Sequence, residues 1–377
     1  MRQTAYDMLY LSICALNNVK PDAKRVAGID LEKLYKICQY NSLTAITCKG
    51  LEMAGVSDKR FIEAKAKAIR KVIMLDAERQ KICAFMEQNH IWYMPLKGVY
   101  IKELYPEIGF RQMADNDILY NEKYQKELQE FMICSGYETE SIAKEHHDTY
   151  MKKPVYNYEM HTSLFDENTD KKFYDYYADV KKRLVKAENT QYCYNFTDED
   201  FYIYVKLHEY KHFSIGGTGL RSLMDTYVYV KSKPDLNWDY ISAEMQKLEI
   251  DDYEKECREL AMKVFSGDNA DNLSEKEREM LEYFLFSGTY GNVKNLVQNR
   301  MKKINEESGS TSSFKYWKNR VFPPMEFYKA YLPFFYRHKW LLPVGWLYRT
   351  VRAVTFRRNK LHSEMSALSE LSSDKKK

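Results

Sequence analysis

The longest uninterrupted helical pattern in the chain runs from residue 57 to residue 88, a stretch that contains neither glycine nor proline. Its apolar residues recur at helical spacing between Phe61 and Phe85, which predicts one long amphipathic helix. The same spacing recurs in the residues that precede it. We therefore expect residues 1–88 to form an N-terminal helical region.

The pattern changes after residue 88. Short runs of β-branched and aromatic residues now alternate with turn residues and with shorter helical stretches. This alternation predicts a small mixed sheet with its helices, confined to residues 89–170. The predicted elements of this core are strands at 91–95, 115–120 and 155–164, a helical stretch after Gly98, and a helix at 122–134.

Helical patterns return after residue 170 and continue towards the end of the chain. The predicted fold class is therefore α+β, a small mixed-sheet core between an N-terminal helical region and a larger C-terminal one. A Ser/Gly-rich segment at 306–313 predicts a linker or loop, and residues 372–377 predict a solvated, disordered tail. The predicted C-terminal helices include 198–213, 221–231 and 241–264, and the predicted domains are 1–88, 89–170, 171–305 and 306–377.

Composition narrows the class of protein. The formal net charge of +4 over 377 residues is small, so the net field of the molecule does not indicate a polyanion binder. Seven scattered cysteines form no Cys-x-x-Cys pair, which indicates neither a disulfide framework nor a zinc ribbon.

The first residues lack a small-residue cleavage site, and the apolar run at 340–347 is far below the ~20 residues that a membrane span needs. We expect a cytoplasmic protein without a membrane span.

The segment 294–360 is locally basic and aromatic. It carries 15 lysines and arginines against three acidic residues, interleaved with tryptophan, tyrosine and phenylalanine. Such a segment can contact an anionic surface, either nucleic acid or anionic lipid. The alternative is a helical domain whose aromatic residues form the core and whose basic residues are solvated.

A pair of aspartates suggests a metal site. Asp115 and Asp117 lie two residues apart on a predicted strand, so both side chains project from the same face. Mg²⁺ takes oxygen ligands and is usually shared between carboxylates and substrate phosphates. Another predicted strand carries Glu159, which could complete a site for two metal ions. The predicted cofactor is Mg²⁺, two ions in number, with Mn²⁺ as the alternative; taken alone, a D-x-D pair is more often a solvated face or turn.

The residues that precede this pair of aspartates are suited to binding a phosphate group. Gly98 would let the backbone approach a phosphate, and the N-terminus of the helical stretch that follows would favour an anion. Lys97 would add a point charge to a triphosphate. Arg111 is expected either to neutralise a further phosphate oxygen or to pair with a core carboxylate.

Taken in order, these motifs resemble an uncharacterised bacterial nucleotidyltransferase family of the polymerase-beta-like superfamily. The resemblance covers residues 85–165 well and the helical flanks loosely. The matching residues are Leu96, Lys97, Gly98, Tyr105, Pro106, Arg111, Asp115, Asp117, Gly136, Tyr137, Glu159 and His161.

The resemblance implies a Mg²⁺-dependent transferase that binds a nucleoside triphosphate such as ATP. Asp115 and Asp117 would hold both metal ions, Glu159 would hold the ion on the nucleophile's side, and Lys97-Gly98 would lie against the triphosphate. An acceptor would attack the α-phosphorus, and pyrophosphate would leave. The acceptor stays open among a small molecule, a sugar, a protein and an RNA.

Asn116 departs from the aliphatic residue usual between the two aspartates. Strand alternation turns it towards the core, where a buried amide without partners costs on the order of 1 to 3 kcal/mol. If Asn116 distorts the aspartate pair, the alternative is a catalytically inactive nucleotide- or RNA-binding module.

A second motif, His208-Glu209-x-x-His212, offers a different chemistry. Histidines four apart on a helix share a face and can bind zinc with the glutamate as base, so a zinc peptidase is the other alternative. Against it, Lys211 would place a positive charge beside the metal ion. In the resembled family a His-x-x-Lys-His pattern is followed by Arg-x-x-x-Asp, here Arg221 to Asp225. That parallel favours Lys211 and His212 as contacts of the nucleotide or acceptor, while packing between helices is the alternative.

Overall fold

The computed structural model describes residues 2–141, 146–267, 272–308, 313–355 and 358–374. The chain divides into two compact units. The first comprises Met1–His208 and Leu220–Thr289, and the second comprises Glu209–Gly219 and Tyr290–Lys377. The α+β class is confirmed, since a small mixed sheet lies between helical regions in the sequence. The division into four domains stays a prediction.

The first unit begins with helices. The long helix expected before residue 89 is present as α5, and it starts where the Asp58 side chain accepts a hydrogen bond from the Arg60 backbone N–H. Its buried side chains include Phe61, Leu75 and Ile82. The helices of this region are α1 (Arg2–Leu16), α2 (Ala23–Ala27), α3 (Leu31–Asn41), α4 (Thr44–Met53) and α5 (Lys59–Gln88).

A mixed sheet follows, with its strands in the order β1-β2-β5-β4-β3. Strands β2 and β5 run parallel, and the other neighbouring pairs are antiparallel. The strands are β1 (Tyr93–Pro95), β2 (Asn116–Tyr120), β3 (Glu138–Ser141), β4 (His147–Lys152) and β5 (Tyr156–His161). Between them lie α6 (Gly98–Ile101), a 3-10 turn at Lys102–Leu104, a second at Glu122–Tyr124, and α7 (Gln125–Cys134).

Strands β3 and β4 were absent from the sequence prediction. Both carry polar residues at most positions, so neither shows the apolar alternation that marks a half-buried strand. Pairing within the sheet stabilises them instead, since β4 pairs with β5 and β3 pairs with β4.

The prediction that strands stop at residue 170 was wrong. Strands β6 (Leu184–Lys186) and β7 (Tyr194–Phe196) form a small antiparallel sheet after the core. The Tyr93 backbone N–H donates to the Tyr192 carbonyl at 3.0 Å, which joins this part of the chain to β1. Each of these strands is three residues long, too short to show a period in the sequence.

Helices complete the first unit. The single helix predicted at 241–264 is interrupted, because Glu249 adopts a left-handed backbone with φ of 58° between two separate helices. Asp251 and Asp252 stand in the first turn of the second helix, where acidic side chains are favoured. The elements are α8 (Lys171–Tyr176), a 3-10 turn at Val180–Arg183, α9 (Asp198–Ile215), which continues into the second unit, α10 (Leu220–Ser232), α11 (Trp238–Lys247), α12 (Asp251–Phe265) and α13 (Glu275–Ser287).

The second unit is helical in its described residues after α9. Of the linker predicted at 306–313, residues 309–312 lie outside the described residues. The tail predicted from 372 is helical as far as Asp374, and residues 375–377 lie outside the described residues. The helices are α14 (Val293–Ser308), α15 (Ser313–Val321), α16 (Met325–Tyr331), α17 (Pro333–Arg337), a 3-10 turn at Lys339–Leu341, α18 (Leu342–Thr355) and α19 (Arg358–Asp374).

No helix in the described ranges is both long and apolar enough to cross a bilayer.

The core of the mixed sheet lies on one face, against α5 and α7. Strand alternation sends every second side chain of the sheet into this core. Its members include Val72, Leu75, Ile82, Ile118, Tyr120, Leu128, Met132, Tyr150, Tyr158 and Met160. The side chains of the intervening residues of β2, β4 and β5 point to the opposite face of the sheet.

Candidate active site

The opposite face of the sheet carries the predicted carboxylates. Ile118 is in the core, so its neighbour Asp117 points to the opposite face of the sheet. Met160 is also in the core, so its neighbour Glu159 points to the same face as Asp117. Asp117 and Glu159 are direct partners across the parallel strands β2 and β5. The structure therefore brings together two carboxylates that are far apart in the sequence.

Asp115 lies immediately before β2 and interacts electrostatically with Asp117 and Glu159. Its pKa is raised to about 6, first by burial and then by the negative charges of Asp117 and Glu159. Lys97 and Arg221 act in the opposite direction. Asp115 thus shares the environment of Asp117 and Glu159, whose negative charges disfavour its ionisation.

Lys97 supplies one counter-charge to this group. Its Nζ lies 2.9 Å from Oδ2 of Asp117, and both side chains are largely buried. Burial disfavours the charged form of both side chains, but the attraction between them is stronger. The pKa of Lys97 is therefore above its ordinary value, and the pKa of Asp117 is well below its ordinary value. The lysine predicted to meet a triphosphate is paired with a carboxylate here.

The Lys97-Gly98 turn is tightly packed. Lys97 has a φ of 44°, an uncommon conformation for a residue with a side chain. A Cβ at position 98 would meet the guanidinium of Arg111 and would lie 2.8 Å from Cε of Met113, so any residue other than glycine would force these side chains to shift. Helix α6 begins at Gly98 and spans four residues, so its dipole is small.

Arg111 takes the second of its two predicted roles and pairs with a core carboxylate. Its Nε and Nη2 donate to Asp225 at 3.0 Å each, and the Tyr105 hydroxyl donates to the same carboxylate at 2.7 Å. Arg111 and Asp225 are both mostly buried. This contact ties the segment before β2 to α10.

Arg221, on the same helix, remains directed at the site. Its Nη1 donates to the Gln112 carbonyl at 2.8 Å. Burial and then the charge of Arg111 lower its pKa, while Asp225 and Asp115 act in the opposite direction. Arg221 is thus a partly buried cation that attracts Asp115. The sequence pattern had indicated it only as a contact bordering the cleft.

Asn116 faces the helical side of the sheet, as strand alternation predicts. It is 1% exposed, and its Oδ1 accepts a hydrogen bond from Nη1 of Arg79 at 3.0 Å. The β2–β5 register continues without a shift from Asn116 through Leu119. The amide therefore does not distort the strand that carries Asp117.

Histidines surround the two paired carboxylates. His161 is 3% exposed, and its Nε2 lies 3.7 Å from Asp117 Oδ1 and 3.6 Å from Glu159 Oε2. Burial lowers its pKa, but the two carboxylates outweigh burial and raise it above the ordinary value. Nε2 of His147 lies 3.7 Å from the same Glu159 oxygen.

Potential ligand atoms of Asp117, Glu159 and His161 all lie within 4.8 Å of one another, close enough to hold a metal ion. Sequence reasoning named His161 within a motif but gave it no role. It missed His147 because β4 was not predicted. The adjacent pair His146-His147 was the available signal.

A comparison with known protein families identifies the family of the chain. The sequence model of a family described as uncharacterised nucleotidyltransferases matches residues 27–266. The chain belongs to this nucleotidyltransferase family. No curated protein and no solved structure matches the chain.

The family match confirms the resemblance drawn from the motifs, and it spans every site residue predicted from the sequence. Within this nucleotidyltransferase, Asp115, Asp117, Glu159, Lys97, Gly98 and Arg111 belong to the first compact unit. Lys211 and His212 belong to the second unit, and their assignment to the nucleotide stays a prediction.

The second motif lies on α9, where a helix was predicted. Within the described part of the chain, the two groups of three potential metal ligands do not include His208, Glu209 or His212. The family match concerns a transferase and gives no support to the zinc peptidase alternative.

Proposed function

We propose that the protein is a Mg²⁺-dependent nucleotidyltransferase that moves a nucleoside monophosphate from a nucleoside triphosphate to an acceptor and releases pyrophosphate. The observation that carries this proposal is the direct pairing of Asp117 with Glu159 across β2 and β5, next to Asp115. The family match supports the same class of reaction.

The donor atoms present fit a hard divalent cation. Within the described residues, Oδ1 of Asp117 is buried and accepts no hydrogen bond, so an acceptor is left over 3.7 Å from Nε2 of His161. Asp115, Asp117 and Glu159 would hold the ions, because carboxylate oxygens are the ligands that Mg²⁺ prefers. When bound, Mg²⁺ neutralises the triphosphate and polarises the phosphorus that is attacked.

The cations of the site have complementary roles. If Asp117 held a divalent ion, the Lys97 ammonium would be available to bind a phosphate oxygen. Arg221 offers a second, partly buried cation that interacts with Asp115. Arg111 acts indirectly, because its side chain is engaged by Asp225 and it holds the segment that leads to Asp115. The acceptor stays open among a small molecule, a sugar, a protein and an RNA.

The inactive-module alternative depended on distortion by Asn116. The regular register of β2 and the hydrogen bond from Arg79 both count against that distortion. We therefore favour an active site over a purely nucleotide- or RNA-binding one.

The proposal predicts nucleotide-dependent release of pyrophosphate. Each of the four nucleoside triphosphates, labelled on the α-phosphate, is incubated with the protein, Mg²⁺ and cell extract. We expect label to move onto a fraction of the extract from at least one triphosphate, with pyrophosphate released in equal amount. Chelation of Mg²⁺ should stop both. The Glu159→Gln variant should be inactive, and tight binding of a triphosphate without any transfer would favour the inactive module.

We further propose that the second unit contacts an anionic lipid surface through α18. Val344, Leu347, Val351 and Val354 are each more than half exposed and recur at helical spacing, so they form an apolar stripe open to solvent. Exposed basic side chains precede α18 in the chain at Arg337 and Lys339, lie on it at Arg352, and follow it at Arg358. An apolar stripe flanked by arginine and lysine is typical of helices that lie in the plane of an anionic membrane.

Vesicle flotation tests this contact with the full chain. The protein should float with vesicles that contain phosphatidylserine and should not float with pure phosphatidylcholine, because both charge and apolar contact are required. Leu347→Asp should reduce binding at least about tenfold, since it places a charge in the stripe. Val185→Asp, at an exposed valine of β6, is the matched control and should bind normally. Equal flotation of both variants, or binding to single-stranded RNA alone, would contradict the proposal.

A further inference from the structure

Three histidines form a second group of potential metal ligands beside the carboxylates. Ring nitrogens of His146, His147 and His161 all lie within 4.8 Å of one another. The ring centroids are 4.8 Å apart for His146 and His147, 5.3 Å for His146 and His161, and 4.9 Å for His147 and His161. Three imidazoles thus lie close together, with their ring nitrogens near enough to share one ion.

The sheet positions this group. His147 and His161 are direct partners across the antiparallel strands β4 and β5, so their side chains leave the same face. The Thr162 backbone N–H donates to the His146 carbonyl at 3.0 Å and fixes the residue that precedes β4. Paired backbone, rather than an isolated loop, therefore holds the histidines.

His161 supplies a further observation. It is almost fully buried, and within the described residues neither of its ring nitrogens makes a hydrogen bond. A buried polar group without a hydrogen bond is costly, and such groups often serve a ligand or an ion. Its carboxylate neighbours stand 3.6 and 3.7 Å from Nε2, beyond hydrogen-bond distance.

The type of ligand decides the type of metal. Imidazole nitrogen suits Zn²⁺, Co²⁺, Ni²⁺, Cu²⁺ and Fe²⁺, whereas Mg²⁺ selects oxygen. We propose that His146, His147 and His161 bind a transition-metal ion of the Zn²⁺ class, in a centre distinct from the carboxylate site for Mg²⁺. Glu159 borders both centres, because its Oε2 lies 3.7 Å from His147 and 3.6 Å from His161.

Such a centre leaves coordination positions open, since three histidines do not complete the tetrahedral shell of Zn²⁺. Water or an acceptor group is the expected fourth ligand. The centre lies on the same face as Asp117, so a hydroxyl bound there would be held close to the proposed nucleotide site. This last step depends on the proposed function, but metal binding itself does not.

Metal binding to the full chain, without nucleotide, tests the inference. The protein is stripped with a chelator, and Co²⁺ is titrated while its visible absorption is followed. We expect one Co²⁺ per chain, with a spectrum typical of nitrogen ligands, displaced by Zn²⁺ but not by excess Mg²⁺. His146→Ala and His147→Ala should each weaken binding at least about a hundredfold, more than the loss of an outer-sphere partner does.

Control variants separate this centre from its neighbours. His362→Ala, on α19, should bind Co²⁺ as the unaltered protein does, and so should Asp115→Asn. Circular dichroism identifies any variant that fails to fold, and the other histidine variant then decides. A loss with His208→Ala but not with His147→Ala would place the ion on the motif of α9 and overturn the inference. So would a chain that binds no Co²⁺, because His161 would then serve as a charged partner of the carboxylates.

The two proposals fail separately. Pyrophosphate release without Co²⁺ binding would leave the transferase proposal standing and remove the histidine centre. Co²⁺ binding that depends on the histidines, in a protein that transfers no nucleotide, would do the reverse.

Discussion

Replacing Asp117 with asparagine is expected to lower nucleotide transfer at least about a hundredfold, measured as pyrophosphate release per folded molecule. The carboxylate is the central member of the proposed site, because it is the β2 partner of Glu159 and its Oδ1 is left without a hydrogen bond in the described residues. An amide keeps the shape but removes the charge that binds a divalent cation. Electrostatic stabilisation of this kind is usually the largest single contribution to catalysis.

The substitution also leaves Lys97 buried without its charged partner, and breaking a buried ion pair costs about 3 to 5 kcal/mol. The double variant Lys97→Met/Asp117→Asn removes this penalty, so it should recover stability while staying inactive. Glu122→Gln, at an exposed acid just after β2, is the matched control and should keep full activity. Normal transfer by a folded Asp117→Asn protein would refute the assigned role.

Replacing Arg111 with methionine is expected to lower the opening free energy of the mixed sheet by about 3 to 5 kcal/mol. The guanidinium makes hydrogen bonds to both carboxylate oxygens of Asp225, and both side chains are largely buried. Methionine fills much of the volume but leaves Asp225 charged and buried without its arginine partner, although the Tyr105 hydroxyl still donates to it and Arg221 still attracts it. Hydrogen exchange of the amides in β2 measures the opening free energy directly.

A double-substitution cycle tests the cause of this loss. Arg111→Met/Asp225→Leu removes both charges together, so its loss should be smaller than the sum of the losses from the single substitutions. Arg70→Met, at an exposed arginine of α5, is the control and should change the opening free energy by less than about 0.5 kcal/mol. If Arg111→Met behaves like this control, the buried pair does not stabilise the segment that precedes β2.

The parts of the molecule that follow from local spacing were predicted well. Helix α5 was visible because its apolar residues repeat with the helical period over many turns. The side on which Asp117 lies followed from strand alternation, and so did the burial of Asn116. Glu159 was expected near the aspartates because it lies on another predicted strand, and the structure shows that this strand is the direct neighbour of β2.

The parts that depend on distant contacts could not be predicted from spacing. Arg111 and Asp225 are 114 positions apart, and nothing near either residue indicates the pairing. Strand β4 is polar and depends on β5 for its stability, so the sequence hid both the strand and the role of His147. The break within 241–264 depends on one left-handed residue, Glu249, whose side chain is not one that favours that conformation.

The ammonium of Lys97 already lies 2.9 Å from the most buried of the clustered acids. The protein therefore carries an internal counterion, tethered to the backbone, that offsets part of the repulsion among the acids before any solute arrives. We expect this arrangement to separate folding from substrate binding: the chain should reach its native state in a solution free of divalent salts, and the proposed nucleotide complex would then release the Lys97 ammonium to bind phosphate.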